Sequence, residues 1–169
     1  LPEDIAILQL KQVPSSFHPR FDARRREYEY TVYDGSVRHP LKRRASWYVH
    51  RKLDETKMNL AAKCLVGVHD FATFGQPPQG SSTVRELFEA SWVRVNDEII
   101  FRIAANAFLY RMARSIVGSL KLVGEGSWTI EDFVGAFEAK NLDACGMVAP
   151  PQGLCLVSIT YENLTWFDT

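Results

Sequence analysis

Apolar side chains recur along this chain with two different periods. Between residues 106 and 124, in NAFLYRMARSIVGSLKLVG, Leu109, Met112, Ala113, Ile116, Val117, Leu120 and Val123 fall at three- and four-residue intervals. That spacing gathers them on one side of a helix and predicts a helix packed against a core. Residues 28–33, YEYTVY, alternate instead, with Tyr28 and Tyr30 on one face of a strand, Glu29 on the other and Asp34-Gly35 closing it. Residues 84–95 and 99–104 read as strands joined at Asn96-Asp97-Glu98 in a hairpin, and residues 5–10 and 154–161 as two more strands. Asp54 caps a predicted helix running to residue 65 and ended by Gly67. Thr129 with Asp132 opens another to residue 139, its Ile130, Phe133, Val134 and Phe137 turned inward.

Strands linked mostly by hairpins, with separate helices, predict an α+β fold: an antiparallel sheet with helices packed on one face, in one domain over residues 1–169. A length of 169 residues, 46% of them hydrophobic, is enough for a single core. Residues 41–52 form an irregular basic connection, and 75–82 (GQPPQGSS) a mobile loop. No apolar stretch approaches the ~20 residues of a membrane span, so a soluble, cytoplasmic protein is expected. The chain begins without Met and runs almost at once into a strand, as a segment of a longer protein would.

Several chemistries lose support at this level. Cys64, Cys145 and Cys155 form no CxxC pair and read as buried thiols. His18, His39, His50 and His69 show no metal-binding spacing, so no metal is expected. GxxxxGK[ST], GxGxxG and GxSxG are all missing, so neither a nucleotide cofactor nor a nucleophile elbow is indicated. His69-Asp70 reads as a packed turn.

A zero net charge conceals a segregation. Residues 20–52 hold ten Lys/Arg against four Asp/Glu, a local balance of +6 that leaves −6 elsewhere. Phe21, Tyr28, Tyr30, Tyr33, Trp47 and Tyr48 interleave with these cations, a mixture suited to phosphates and stacked bases, or else a solvated face. Arg114, in the middle of the apolar helix, requires a carboxylate or phosphate, either as half of a structural ion pair or as part of a site. Tyr28 is open to two readings, core packing or stacking on a base beside the arginines.

Four segments in order resemble the tRNA pseudouridine synthases of the TruA type. FHPRFDARRREYEY resembles that family's FHARF…Y-x-Y, HDFATF its HDF-[ST]-x-F, NAFLYRMARSIVGSL its NAF[LV]-x-x-M-[VA]-R-x-[IL]-V-G, and PPQGLCL its closing P-x-GL-x-L. The resemblance runs from residue 1 to 161 and leaves the tail, 162–169, outside it. It implies one half of the pseudouridine synthase fold, acting without metal or cofactor on uridines in the anticodon stem-loop of tRNA, positions 38 to 40 being expected, and working as a homodimer. By the same resemblance Arg114 is the catalytic arginine paired with an aspartate, Tyr28 stacks on the target uracil and Leu154 supplies an apolar wall. Phe17, His18, Arg20, Phe21, Arg24, Arg25 and Arg26, with residues 79–83, would contact RNA. The family's aspartate lies in GRTDxGVHA, and no Gly-Arg-Thr-Asp occurs here, so the match is to a C-terminal portion expected to be inactive alone. A noncatalytic RNA-binding domain that kept the scaffold is the alternative. Arg111, Ala113 and Ser115 stand where the family more often has His or Asn, Val and Asn.

Overall fold

The computed structural model describes residues 1–162 and 164. The alternating tyrosine run extends into β1 (Ala23–Tyr33), the strand around which the sheet is organised. On one side β1 pairs antiparallel with β5 (Glu98–Ala105), setting Tyr28 opposite Ile103 and Tyr30 opposite Phe101. Its other side is shared. β6 (Leu154–Tyr161) runs antiparallel along the first part, and the two-residue β2 (Trp47–Tyr48) lies parallel at the end, Val32 opposite Trp47. β4 (Val84–Val95) joins β5 through the expected hairpin, where Asn96 adopts φ 56°, a left-handed conformation that Asn tolerates. β3 (Gly67–Asp70) closes the far edge against β4. The sheet is therefore antiparallel except for the β1–β2 pair.

Among the described residues three helices cover one face: α1 (Glu55–Ala62), α2 (Met112–Gly124) and α3 (Ile130–Glu138). Each begins or packs for a local reason. The Asp54 carboxylate accepts from the Lys57 N–H at 3.1 Å, and Thr129 with Asp132 makes a reciprocal capping box. Met58, Ile116, Val117, Leu120, Phe133 and Phe137 meet Tyr30, Trp92, Phe101 and Ile103 from the sheet in one buried core. The opposite face of the sheet is polar, with Arg102 paired to Glu29 at 3.0 Å and Arg25 to Glu27 at 2.5 Å. The Arg25 guanidinium, joined by the Ser158 hydroxyl, holds the Glu27 carboxyl below the usual carboxylate range.

A buried carboxylate ties the 35–53 loop to the sheet. Asp34 accepts from Nη1 and Nη2 of Arg94 at 2.9 and 3.0 Å and from the Leu53 N–H at 3.0 Å, and pairs with Lys52 at 3.1 Å. Burial by itself would raise its pKa; the hydrogen bonds from Arg94, Leu53 and Lys52 outweigh this and hold it below the ordinary value.

Four expectations need correction. Residues 5–10 form no strand: among the described residues no sheet edge pairs with them, and Leu8 and Leu10 are 83% and 90% exposed. An apolar run alone cannot make a strand without a neighbour to take its hydrogen bonds. The arginine-bearing helix starts at Met112 rather than 106, because Arg111 sits at φ 64°, outside helical space, as its N-cap. The helix from Asp54 ends its α-helical part at Ala62 and tightens into a 3-10 turn at Lys63–Leu65. Cys64 and Cys145 are only half-buried, and Cys155 is exposed on β6; burial pushes the Cys64 thiol up to about 11. Of the tail, residues 163 and 165–169 lie outside the described residues.

Candidate active site

Strand alternation puts Tyr28 on the helix side of β1, two residues before Tyr30, yet the two rings meet different surroundings. Tyr30 is fully buried, and its hydroxyl donates to the Pro150 carbonyl at 2.6 Å; burial pushes its phenol well above the usual range. Tyr28 lies beyond the end of α2, where the chain turns at 106–111, and is only half-buried. Among the described residues its one ring contact is edge-on to Phe108, with centroids 4.9 Å apart. The Tyr28 ring faces a slot of about 110 Å³ bounded by Phe108, Met112, Arg114 and Leu154.

Arg114 reaches that slot because the helix starts late. It lies in the first turn of α2 and is half-buried rather than enclosed in the middle of a helix. Its Nε–H donates to the Ala149 carbonyl at 2.7 Å, which orients the guanidinium and leaves both terminal amino groups without a carboxylate partner among the described residues. A fork held at Nε with its two amino groups open is arranged to take a carboxylate side-on. The loop that supplies Ala149 and Leu154 comes close to the sheet, and a side chain at Gly153 would meet the Tyr30 ring at 2.7 Å and the Thr31 carbonyl at 2.8 Å. Arg111 also borders the slot, but it is exposed, and its guanidinium stacks 4.9 Å from the Tyr110 ring centre.

Next to the slot, on the other side of Tyr28 and Phe108, opens a wider cleft of about 370 Å³ whose cations are Arg20, Arg26 and Arg85. The turn before β1 builds one wall: His18 Nδ1 accepts from the Arg20 and Phe21 N–H groups, leaving Phe21 63% exposed with Arg20 over its ring at 5.6 Å. Arg26 is committed to backbone, donating to the carbonyls of Asn106 (2.6 Å), Ala23 (3.2 Å) and Arg20. Pro78 and Gln79 bring the GQPPQGSS loop to the rim, which puts that loop at the cleft although it carries no basic residue. The missing cation comes from the neighbouring strand. Arg85 on β4 donates to the Ser82 and Val84 carbonyls, but its Nε is buried without a partner, and burial lowers its pKa with no carboxylate beside it. Sequence reasoning missed Arg85; the one cue was an arginine on a strand directly after that loop.

The remaining candidates point elsewhere. Arg25 lies on the polar face of the sheet, between Glu27 and Glu89 and over the Phe88 ring. Arg24 pairs with Glu162 at 2.8 Å, and Phe17 packs edge-on to Tyr161 at 5.0 Å; both border a separate cavity. His69 and Asp70 stand on β3 as structural groups, Asp70 accepting from the Ala72 N–H and the Thr83 hydroxyl and His69 packing on Phe137. Among the described residues no cluster of three or more His, Cys, Asp or Glu could hold a metal, and no helix is long and apolar enough to cross a membrane.

An α+β half-domain with a tyrosine ring facing an open arginine fork, beside an arginine-rimmed cleft, is a layout for holding a planar ring next to anions. Comparison with known proteins gives that layout a family. The family model described as tRNA pseudouridine synthase matches residues 61–162. The chain is 43% identical over 162 residues to tRNA pseudouridine synthase A of Parvibaculum lavamentivorans, covering 95% of this chain and 66% of that protein. It is 40% identical over 162 residues to the protein of the same name from Geotalea uraniireducens, with the same two shares covered. With that of Rhizobium meliloti it shares 41% over 160 residues, 94% of this chain and 65% of the relative. The chain belongs to the tRNA pseudouridine synthase family, and spans just under two thirds of these relatives.

Proposed function

We propose that this chain forms one wall of the active site of a tRNA pseudouridine synthase that isomerises uridine to pseudouridine in the anticodon stem-loop. The observation that carries this reading is the convergence of Tyr28, Arg114 and Leu154, from β1, α2 and the start of β6, on one slot of about 110 Å³. The reaction breaks the N-glycosidic bond of an extruded uridine, turns the freed ring and rejoins it through carbon. A half-exposed aromatic face opposite an apolar wall holds such a ring while it turns and keeps water from it. The open Arg114 fork receives the attacking aspartate, which this reading takes from sequence outside these 169 residues. Arg20 and Arg85 meet the phosphates flanking the extruded base, and the family's homodimer is the proposed assembly.

Arg114→Lys in the whole enzyme tests the reading. A lysine keeps the charge and loses the planar fork, so turnover falls far more than tRNA affinity, whereas Arg111→Lys, on an exposed stacked residue, changes both little. Equal effects of the two substitutions on the single-turnover rate refute it.

A further inference from the structure

The loop from Ala149 to Leu154 has two sides, and only one serves the slot. Ala149 holds Arg114 and Leu154 walls the Tyr28 ring, while Pro150 and Gln152 border a second cavity of about 420 Å³ on the other side. That volume lies within the roughly 300–1,000 Å³ of small-molecule sites. Its lining is a series of rings: Tyr48 meets His50 at 4.7 Å and Tyr33 at 6.0 Å, and His39 meets Tyr33 at 6.0 Å. Above Tyr48, at 5.6 Å, lies the Arg38 guanidinium, and Arg43 borders the same space.

The charge there is uncompensated. The nearby acids serve other cations, Glu98 holding Lys42, Asp97 holding Lys52, and Asp34 holding Arg94 and Lys52. Among the described residues neither Arg38 nor Arg43 forms an ion pair, and both are exposed. Concave, cationic and ring-lined, the cavity matches a ligand that is planar at one end and anionic at the other. It borders the same 149–154 segment as the slot. Tyr28 and Tyr33 stand on the same strand, five residues or about 17 Å apart, and alternation puts their side chains on opposite faces of the sheet.

We infer that this second cavity binds a nucleotide of the same RNA, away from the one being isomerised: its base stacks against Tyr48 and His50, and its phosphates meet Arg38 and Arg43. The inference rests on the reading above, that an RNA strand enters the Tyr28 slot.

An unmodified tRNA transcript is the probe, and binding across a salt series with the parent protein and its variants is the measurement. Arg38→Ala with Arg43→Ala lowers the log–log salt slope by about 1.4–1.8, two phosphate contacts' worth. Tyr48→Ala weakens binding roughly 5- to 160-fold, the range for one stacked base, and Tyr48→Phe restores it. Thermal unfolding of each variant confirms that these half-buried and exposed positions leave the fold intact. An unchanged slope and affinity in the double variant overturns the second cavity, and if Arg114→Lys still abolishes turnover in that case, the slot stands without it. Failure of the parent to bind the transcript overturns both.

Discussion

Tyr28 and Tyr30 share a strand face two residues apart, and the proposed function expects opposite sensitivities of them. Tyr30 is fully buried with its hydroxyl bonded at 2.6 Å, so Tyr30→Ala removes a core ring and strands the Pro150 carbonyl. Large aromatic truncations of this kind cost about 3–5 kcal/mol, equivalent to a fall in Tm of roughly 6–20 °C for a domain of this size. Tyr28 is half-buried and keeps one edge-on ring contact, at 4.9 Å with Phe108. Its partial burial, worth about 1–2.5 kcal/mol, plus about 0.5–1.5 kcal/mol for the aromatic pair gives Tyr28→Ala a cost of about 1.5–4 kcal/mol, below that of Tyr30→Ala. Turnover reverses the order. Tyr28→Ala removes the stacking face and abolishes pseudouridine formation, whereas Tyr28→Phe keeps the face, keeps tRNA binding, and loses whatever the hydroxyl contributes. Urea unfolding of the 169-residue chain gives the stabilities, and tritium release by the whole enzyme gives the rates. If Tyr28→Ala destabilises as much as Tyr30→Ala while Tyr28→Phe turns over at the parent rate, Tyr28 is an ordinary core tyrosine and its role at the slot is refuted.

Other substitutions separate architecture from RNA contact. Asp34→Asn breaks the buried pair with Arg94 and costs about 3–5 kcal/mol in urea unfolding. Because the folded pKa of Asp34 lies below its unfolded value near 3.9, the unfolded chain binds the extra proton; the contribution is complete above about pH 4 and is lost as pH falls through the folded pKa, so Asp34→Asn flattens the acid limb of the stability curve. Arg20→Ala with Arg85→Ala lowers the salt slope of tRNA binding by about 1.4–1.8, while Arg25→Ala, on the polar face, leaves it unchanged; the reverse result would move the RNA track to that face. The 169-residue chain forms no pseudouridine on any transcript, and reproducible tritium release above a no-enzyme control would place the nucleophile within these residues.

What the chain determined by itself was whatever depends on near neighbours. The Thr129–Asp132 capping box, the Asn96-Asp97 turn and the period-two run of β1 each close their own hydrogen bonds or faces within a few residues, and each appears in the structure close to where the pattern put it. The motif residues Tyr28, Arg114 and Leu154 were also legible, through the resemblance. Their meeting was not, since it needs β1, α2 and the start of β6 brought together across 126 positions of chain. Apolar periodicity ran unbroken from Leu109 into α2 and concealed the left-handed Arg111, because a buried residue keeps the same spacing whether it packs from a helix or from the turn before it. Arg20 before β1 and the arginines at its start divided between cleft and polar face according to strand alternation and the bulge between Ala23 and Arg25, which composition does not reveal. Residues 5–10 had a strand's pattern and no neighbour among the described residues, and Arg85 became a cleft cation only when β4 carried it beside Tyr28. Local sequence sets which backbone shapes are cheap; long-range packing decides which side chains then share a surface, and the site exists only at that second level.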